Sequence, residues 1–293
     1  MADSLIYIPD ISGFTDFVNN TEINHAQHII SELLELIIDS NEIGMEVAEI
    51  EGDAVLFYKH NQIPSAEEVI RQSEKLFIAF HNHLVRYESE RLCQCGACST
   101  ASDLTIKIIA HTGEIGFTKV KDHSKPFGST LVEAHRLLKN DIEVHEYLLL
   151  TDHYRESMAD SNNLTSSSPW IALERGASSL EYKKVKYVYI PLSPLHSKVE
   201  LPAPAAPPEK ISNPVTGHII IDKPLQFVYE MVTNLDFRLN WNHDVKELVY
   251  EQGKTNRVGT KHRCLFNSGF ADFETITNDF GQDLVVYGEK LES

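Results

Sequence analysis

The chain has few cysteines, few positive charges and no long apolar run. Its 293 residues include four cysteines, and 43 acidic residues outnumber 26 lysines and arginines, so the net charge is −17. Such an acidic surface repels phosphate and argues against nonspecific nucleic-acid binding, although metal ions leave nucleotide binding open. No stretch of about 18 apolar residues suggests a membrane span. The N-terminus has neither a basic region nor a cleavable apolar segment, so we expect a cytoplasmic protein.

Three of the four cysteines are crowded into one short segment, at Cys93, Cys95 and Cys98. Without a secretion signal this pattern does not indicate a disulfide framework. Thiolates at this density suit a structural Zn²⁺ ion. A fourth ligand would come from a histidine, with candidates at His81, His83 and His111. Reduced thiols on an exposed loop and a redox pair remain the alternatives.

A proline-rich stretch divides the chain. Residues 194–210 contain five prolines, which favour an extended tether. We therefore predict one domain over residues 1–193 and another over residues 211–293. Hydrophobic residues make up 42% of the chain and charged residues 24%, so packed cores are expected.

The first domain alternates strand and helix patterns. Apolar periodicity predicts helices at residues 24–40, 65–88 and 129–139. It predicts strands at residues 5–9, 45–50, 54–58, 104–110 and 147–151, and a last pair of strand segments within residues 182–191. The second and third strands form a hairpin, with Gly52 and Asp53 at the turn. The pattern indicates an α+β domain with a mixed sheet covered by helices.

Two aspartates occupy comparable places in this scheme. Asp10 follows the apolar residues 5–8, and Asp53 lies at the hairpin turn. Two strands that each deliver one aspartate can place two carboxylates side by side, as a two-magnesium site requires. Gly13 and Gly52 would let the backbone approach a ligand closely. The alternative is that Asp10 only caps a turn or a helix start.

Four short motifs occur in order along the first domain, at residues 10–15, 52–54, 111–114 and 128–137. Together they resemble the catalytic domain of class III nucleotide cyclases, and the resemblance covers most of residues 4–192. The cysteine-rich insert and the segment 135–140 resemble a bacterial offshoot of that superfamily.

The resemblance implies a ferredoxin-like domain that pairs head-to-tail as a homodimer. It implies two Mg²⁺ or Mn²⁺ ions held by Asp10, Asp53 and the backbone carbonyl of Ile11. The implied activity is that of a lyase, converting a nucleoside triphosphate into a cyclic nucleotide and pyrophosphate. Arg136, contributed by the partner subunit, would stabilise charge on the transferred phosphorus.

Substrate contacts are also implied, at Phe14, Thr15, Glu49 and Lys125. Glu49 stands where guanylate-forming members carry glutamate, and Lys125 stands near an aspartate position of adenylate-forming members. A surface acid and a surface lysine are the alternative explanation. Val132 replaces a transition-state asparagine of the family and cannot donate a hydrogen bond. A working cyclase and an inactive domain that binds a nucleotide or a partner both remain open.

The second domain shows a different order of elements. A strand is expected at residues 217–221, followed by a pair of helices that starts near Pro224 and ends near Trp241. Further strands are expected at residues 245–250, 259–267, 270–276 and 284–289. This order resembles part of the helix-grip fold of START-like and polyketide-cyclase-like proteins, which implies a cavity for a small hydrophobic ligand. We expect the module to be truncated, since its last strands and long helix are missing. A packing or dimerisation module is the alternative.

Overall fold

The computed structural model describes residues 3–19, 21, 23–89, 100–121, 123–157, 169–200, 215–251, 256–280 and 284–292. The chain divides into two compact units. The first comprises Met1–Thr15, Leu33–His83 and Asp103–Glu200, and the second comprises Asp16–Glu32, Leu84–Ser102 and Leu201–Ser293. The domain boundaries expected from the sequence stay a prediction, because residues 201–214 lie outside the described part.

The first unit is built on a seven-stranded sheet with the order β2-β3-β1-β4-β7-β9-β8. Its strands are β1 (Asp3–Ser12), β2 (Glu46–Glu51), β3 (Ala54–Lys59), β4 (Thr105–Glu114), β7 (Tyr147–Thr151), β8 (Glu174–Ser179) and β9 (Lys184–Pro191). Strand β1 pairs antiparallel with β3 and β4, whereas β4 pairs parallel with β7. The sheet is therefore mixed, which confirms the predicted α+β class.

Helices connect these strands in the βαββαβ pattern of a ferredoxin-like fold. They are α1 (Phe14–Asn19), α2 (Ile23–Asp39), α3 (Ala66–Ser89), α4 (Ser129–Leu137) and α5 (Asp152–Glu156), with 3₁₀ helices at Ala101–Asp103 and Ser193–Lys198. Helix α3 begins with a capping box. The Ser65 backbone N–H donates to Glu68 Oε2 (2.8 Å), and the Glu68 N–H donates to Ser65 Oγ (3.3 Å). The S-x-x-E spacing in the sequence encodes this start.

The core lies on both faces of the central strands. Residues 5–8 of β1 and Ile108, Ile109 and Ala110 of β4 are almost fully buried. Strands covered on both faces have near-continuous apolar runs, which is why β1 and β4 lack polar alternation. Ala134 and Leu137 of α4 belong to the cluster on one face. On the other face, the Tyr7 hydroxyl meets Ser73 Oγ of α3 at 3.0 Å.

Two strand predictions in the first unit need correction. The last strand pair is β8 and β9, so β8 begins at Glu174, earlier than predicted, and Tyr182 lies in the turn between the strands. A second hairpin, β5 (Gly116–Val120) with β6 (His123–Phe127), was not predicted at all. Lysines and a proline interrupt its apolar pattern. Phe117 packs edge-on against Tyr58 at 5.7 Å, which fastens the hairpin to β3.

The second unit contains a four-stranded antiparallel sheet. Its elements are α6 (Leu225–Thr233), a 3₁₀ helix (Leu235–Phe237), α7 (Arg238–Trp241), β10 (Glu247–Tyr250), β11 (Lys261–Phe266), β12 (Gly269–Phe280) and β13 (Val285–Glu292). The guanidinium group of Arg257 contacts the Glu32 carboxylate and the Tyr87 hydroxyl within this unit. These contacts connect the segments Asp16–Glu32 and Leu84–Ser102 to the C-terminal part of the chain.

The predicted strand at residues 217–221 is wrong. No strand or helix is assigned there, and the side chains of Ile219 and Ile220 are 82% and 94% exposed. The β-branched residues favour extended backbone, but they pair with no strand among the described residues. The helix-grip resemblance and its hydrophobic ligand stay predictions.

None of the helices in the described ranges combines the length and the apolar character that crossing a bilayer requires.

Candidate nucleotide and metal site

Asp10 and Asp53 lie at the same end of two neighbouring strands, β1 and β3. Asp10, near the end of β1, stands opposite Ala54 of β3. Asp53 precedes Ala54 in the β2–β3 turn, and its backbone carbonyl accepts a hydrogen bond from the Ile11 N–H (2.9 Å). The three residues proposed as metal ligands are therefore brought together. Gly13 (φ 88°) and Gly52 (φ 62°) have left-handed backbone angles beside them, which glycine adopts without strain.

Electrostatics couple the two carboxyl groups. Burial raises the pKa of Asp10, Lys107 opposes that effect, and the neighbouring Asp53 raises it further. Burial likewise raises the pKa of Asp53, while a backbone hydrogen bond and Lys107 act in the opposite direction. Both carboxylates are therefore less stable in the charged form than in water, and a further cation between them would favour ionisation.

Lys107 is the residue that sequence reasoning missed. It stands opposite Asp10 across the β1–β4 pair, and its Nζ lies 3.0 Å from Asp10 Oδ2. Both side chains are mostly buried. A lysine inside the apolar run 104–110 needs a carboxylate partner, so the sequence did contain a signal.

The donor set suits a hard divalent cation. Oxygen ligands are those that Mg²⁺ prefers, and two carboxylates beside one ammonium group leave one net negative charge. Because Lys107 already contacts one oxygen of Asp10, the residues fit one divalent cation directly. A second cation fits only if Lys107 moves away from Asp10.

Helix α4 presents its basic residues in different directions. Arg136 forms an exposed ion pair with Glu181 (3.4 Å), which is weak in water. His135 instead approaches the β2–β3 hairpin, with its Nδ1 3.6 Å from Glu51 Oε2. Val132 is 48% exposed one turn before Arg136. His135 also acts electrostatically on Asp10, where it opposes the rise in the pKa.

The four residues proposed for substrate binding fall into two groups. Glu49 of β2 and Lys125 of β6 form an exposed ion pair at 3.7 Å, although 76 positions separate them in the sequence. Phe14, at the start of α1, lies beside the hairpin turn, because a Cβ on Gly52 would come within 3.9 Å of its ring. Thr15 is exposed in the next position.

A buried polar network fixes α4 to the sheet. His111 Nε2 lies 3.2 Å from Glu133 Oε2, and His111 Nδ1 lies 3.0 Å from Thr151 Oγ1. Lys183 Nζ is 2.5 Å from the same Glu133 oxygen, and the Tyr182 hydroxyl donates to Glu133 Oε1 (3.3 Å). Burial lowers the pKa of His111 to about 4, although Glu133 acts to raise it. The network positions the helix that carries His135 and Arg136.

The predicted zinc site is only partly described. Cys93, Cys95 and Cys98 lie outside the described residues, so that site stays a prediction. Two of the histidines considered as fourth ligands have carboxylate partners: His111 contacts Glu133, and His81 contacts Glu146.

Comparisons with known proteins find relatives whose function is not described. A model of a family described as a protein of unknown function (DUF2652) matches residues 30–147. The matched range contains Asp53, Lys107 and Arg136 but begins after Asp10. The uncharacterized protein Rv2561/Rv2562 of Mycobacterium tuberculosis is 32% identical over 132 residues, which are 45% of this chain and 61% of the relative. The chain thus spans about three fifths of the curated relative that it matches.

Similar solved structures include nucleotide cyclases. A bacterial light-regulated adenylyl cyclase has a TM-score of 0.48 and 16% identity, over 65% of this chain and 52% of that one. The guanylate cyclase domain of RhGC from Catenaria anguillulae, in complex with GTP, has a TM-score of 0.44 and 14% identity, over 64% and 96%. The adenylyl cyclase CyaB from P. aeruginosa has 0.43 and 14%, over 64% and 93%. At these values the likeness carries no argument about what this chain does.

Proposed function

We propose that the first unit binds a nucleoside triphosphate with a divalent cation at Asp10 and Asp53 and converts it into a cyclic nucleotide and pyrophosphate. The observation that carries the proposal is the placement of one carboxyl group near the end of β1 and the other in the adjoining β2–β3 turn, beside the Ile11 backbone. The predicted motifs of class III cyclases support the same assignment. The βαββαβ sheet supplies a rigid platform for such a site.

Each residue has a stated role in this proposal. Asp10 and Asp53 hold the cation, which when bound polarises the ribose 3′-hydroxyl and offsets charge on the triphosphate. The 3′-oxygen bonds to the α-phosphorus, the bond to the bridging oxygen breaks, pyrophosphate leaves and the hydroxyl proton passes to solvent. Glu49 and Lys125 would exchange their mutual ion pair for contacts with the base, at little cost because the pair is exposed.

The proposed reaction requires two copies of the chain. In one copy Arg136 pairs with Glu181 on the protein surface. We propose a two-fold dimer in which Arg136 of the partner subunit stabilises charge developing at the α-phosphorus. Release of Arg136 from Glu181 costs little, since both groups are in contact with water.

A second candidate is nucleotide binding without turnover. Two observations favour it: Lys107 already neutralises Asp10, and Val132 offers no hydrogen bond where the family carries asparagine. Loss of one preorganised donor typically lowers a rate by about 10²–10³-fold. Binding through Asp53 would survive that loss.

One experiment separates the candidates. The purified full chain is assayed with each nucleoside triphosphate and Mn²⁺ for cyclic product and pyrophosphate, and for binding by calorimetry. For the cyclase we expect product formation that falls about 10²–10³-fold in Asp53→Asn. The exposed loop variant Asp141→Asn is the charge-matched control and should keep wild-type activity.

The outcomes are distinct. Mn²⁺-dependent binding that Asp53→Asn removes, without product from the wild type, supports the second candidate. Absence of Mn²⁺-dependent binding for every nucleotide contradicts both.

A further inference from the structure

Another polar cluster lies on the face of the seven-stranded sheet that α3 covers, opposite the face that carries Asp10. Its members are His81 on α3, Glu146 directly before β7, and His196 in the 3₁₀ helix Ser193–Lys198. All three belong to the first unit, and one ligand atom from each lies within 4.8 Å of the others. No residue proposed for the nucleotide site belongs to this cluster.

The cluster is compact and partly shielded from water. His81 Nε2 lies 2.6 Å from Glu146 Oε1, and His196 Nε2 lies 2.8 Å from Glu146 Oε2. Phe77 packs against both imidazoles, with ring centroids 4.4 Å and 5.1 Å away. His81 is buried, whereas the side chain of His196 is 47% exposed. The cluster thus has an apolar inner wall and one side open to solvent.

The contact between His81 and Glu146 is short but irregular. His81 Nε2 and Glu146 Oε1 are both buried, and they lie 2.6 Å apart without the angles of a regular hydrogen bond. Buried polar atoms normally make well-formed hydrogen bonds. An ion bound between the two atoms would give each of them a regular partner.

We propose that His81, Glu146 and His196 bind a divalent transition-metal ion, with Zn²⁺ as the natural probe. Two imidazoles and one carboxylate are ligands that Zn²⁺ accepts in tetrahedral sites, with a water molecule in the fourth position. The exposed side at His196 is where that water would lie. The two borderline imidazole ligands distinguish this donor set from the all-oxygen set at Asp10 and Asp53.

A zinc ion would require the ligand side chains to rotate. Zn–N distances of about 2.0–2.1 Å place neighbouring ligand atoms roughly 3.3 Å apart in a tetrahedral site. The contacts of 2.6 Å and 2.8 Å to Glu146 are shorter than that, so both would lengthen. The three ligand atoms lie within 4.8 Å of one another, so any more distant pair would have to approach. Glu146 is anchored through its backbone, since its carbonyl accepts a hydrogen bond from the Leu192 N–H (3.0 Å).

The proposed role is a structural staple. The three ligands come from α3, from the start of β7 and from the helix that follows β9, so one ion would tie three elements together. The last of these elements, Ser193–Lys198, overlaps the start of the proline-rich stretch 194–210, so this part is helical and not extended as expected.

The test measures zinc binding in the full chain. Cys93, Cys95 and Cys98 are replaced by serine, and excess Mg²⁺ is present, so that neither other candidate site contributes. We expect one zinc per chain after dialysis. Affinity should fall by more than about 100-fold in Glu146→Gln and in His196→Ala, because even outer partners of metal ligands are worth about 10–100-fold. The exposed neighbour His145→Ala is the control and should bind like the parent.

Cobalt substitution gives a second readout. Co²⁺ bound to nitrogen and oxygen ligands should give visible absorption without thiolate charge transfer, and His196→Ala should lose it. His196→Ala changes a half-exposed side chain, so circular dichroism can verify that the variant folds. Zinc stoichiometry that is zero in the parent, or equal in the parent and both ligand variants, overturns the proposal. In that case Glu146 is a carboxylate bridging two histidines.

Discussion

Two buried histidine–glutamate pairs lie on opposite faces of one sheet, and they differ in how completely they are satisfied. On the α4 face, His111 and Glu133 have further partners in Thr151, Lys183 and Tyr182. On the α3 face, His196 is the further polar partner found for His81 and Glu146 among the described residues, and the short contact between His81 and Glu146 lacks regular hydrogen-bond geometry. A closed network needs nothing from solution, whereas an open one has room for an ion.

The sheet itself creates this separation. Glu146 and Tyr147 are consecutive, and consecutive side chains of a strand point to opposite faces. Tyr147 lies on the face of Asp10, whose charge contributes to raising the pKa of Tyr147 to about 12 after the larger effect of burial. Glu146 faces His81 on the other side. Two neighbouring positions therefore serve two chemically different clusters.

The largest effect expected from the comparison is stabilisation by zinc. At a zinc concentration about 1,000 times the dissociation constant, the folded state should gain about 4 kcal/mol, measured by denaturant unfolding. His196→Ala should lose this gain, because it removes a ligand of the open cluster. The variant His111→Gln should keep it. A gain lost in both variants, or kept in both, would contradict the distinction between the two faces.

The network around His111 and Glu133 should instead make the free energy of unfolding depend on pH. The pKa of His111 is lowered from 6.5 in the unfolded chain to about 4, mainly by burial. Between these values the unfolded chain binds more protons, so stability is present above pH 6.5 and falls as the pH drops towards 4. The loss at this one group corresponds to about 3 kcal/mol.

The variant His111→Gln tests that assignment. Glu133, Lys183 and His153 act electrostatically on the charged form of His111, and all three remain in the variant. Unfolding free energies measured from pH 7 to pH 4 should therefore show a flatter profile in His111→Gln. An unchanged profile would mean that another group carries the acid sensitivity.

A third buried pair, Asp10 with Lys107, lies between the two extremes. The ammonium group of Lys107 already pairs with Asp10, yet Asp10 and the neighbouring Asp53 together suit a metal ion. Lys107→Met should lower the free energy of unfolding by about 1–3 kcal/mol at pH 7, because a buried carboxylate loses its partner. Millimolar Mn²⁺ should restore part of that loss if the cation replaces the ammonium group. Lack of rescue would argue against metal binding at Asp10.

Much of the fold followed from local signals in the sequence. Apolar periodicity located α2, α3 and strands β1 to β4, because each buries a continuous stripe or run. The S-x-x-E capping box marks the start of α3. The hairpin β5–β6 was not predicted because its lysines interrupt the alternation of apolar and polar residues. A strand was wrongly predicted at residues 217–221 because β-branched residues favour strands whether or not a partner strand exists.

The site was less predictable because it depends on pairing across the sheet. The motifs identified Asp10 and Asp53, but the contact of Lys107 with Asp10 depends on the register of β1 against β4. The cluster of His81, Glu146 and His196 joins residues 115 positions apart, and no spacing rule links them. Long-range register and helix placement carry no local signature, so only coordinates bring such groups together.

The smallest effect on stability is expected at the exposed pair of Glu49 and Lys125. An ion pair in contact with water contributes little, so Lys125→Ala should change the free energy of unfolding by less than about 0.5 kcal/mol. If the pair contacts the base of a bound nucleotide, the same change should still weaken Mn²⁺-dependent nucleotide binding severalfold in calorimetry. Lys119→Ala, on the same hairpin, is the charge-matched control. Equal binding by both variants would assign Lys125 to the solvated surface and leave base selection to other residues.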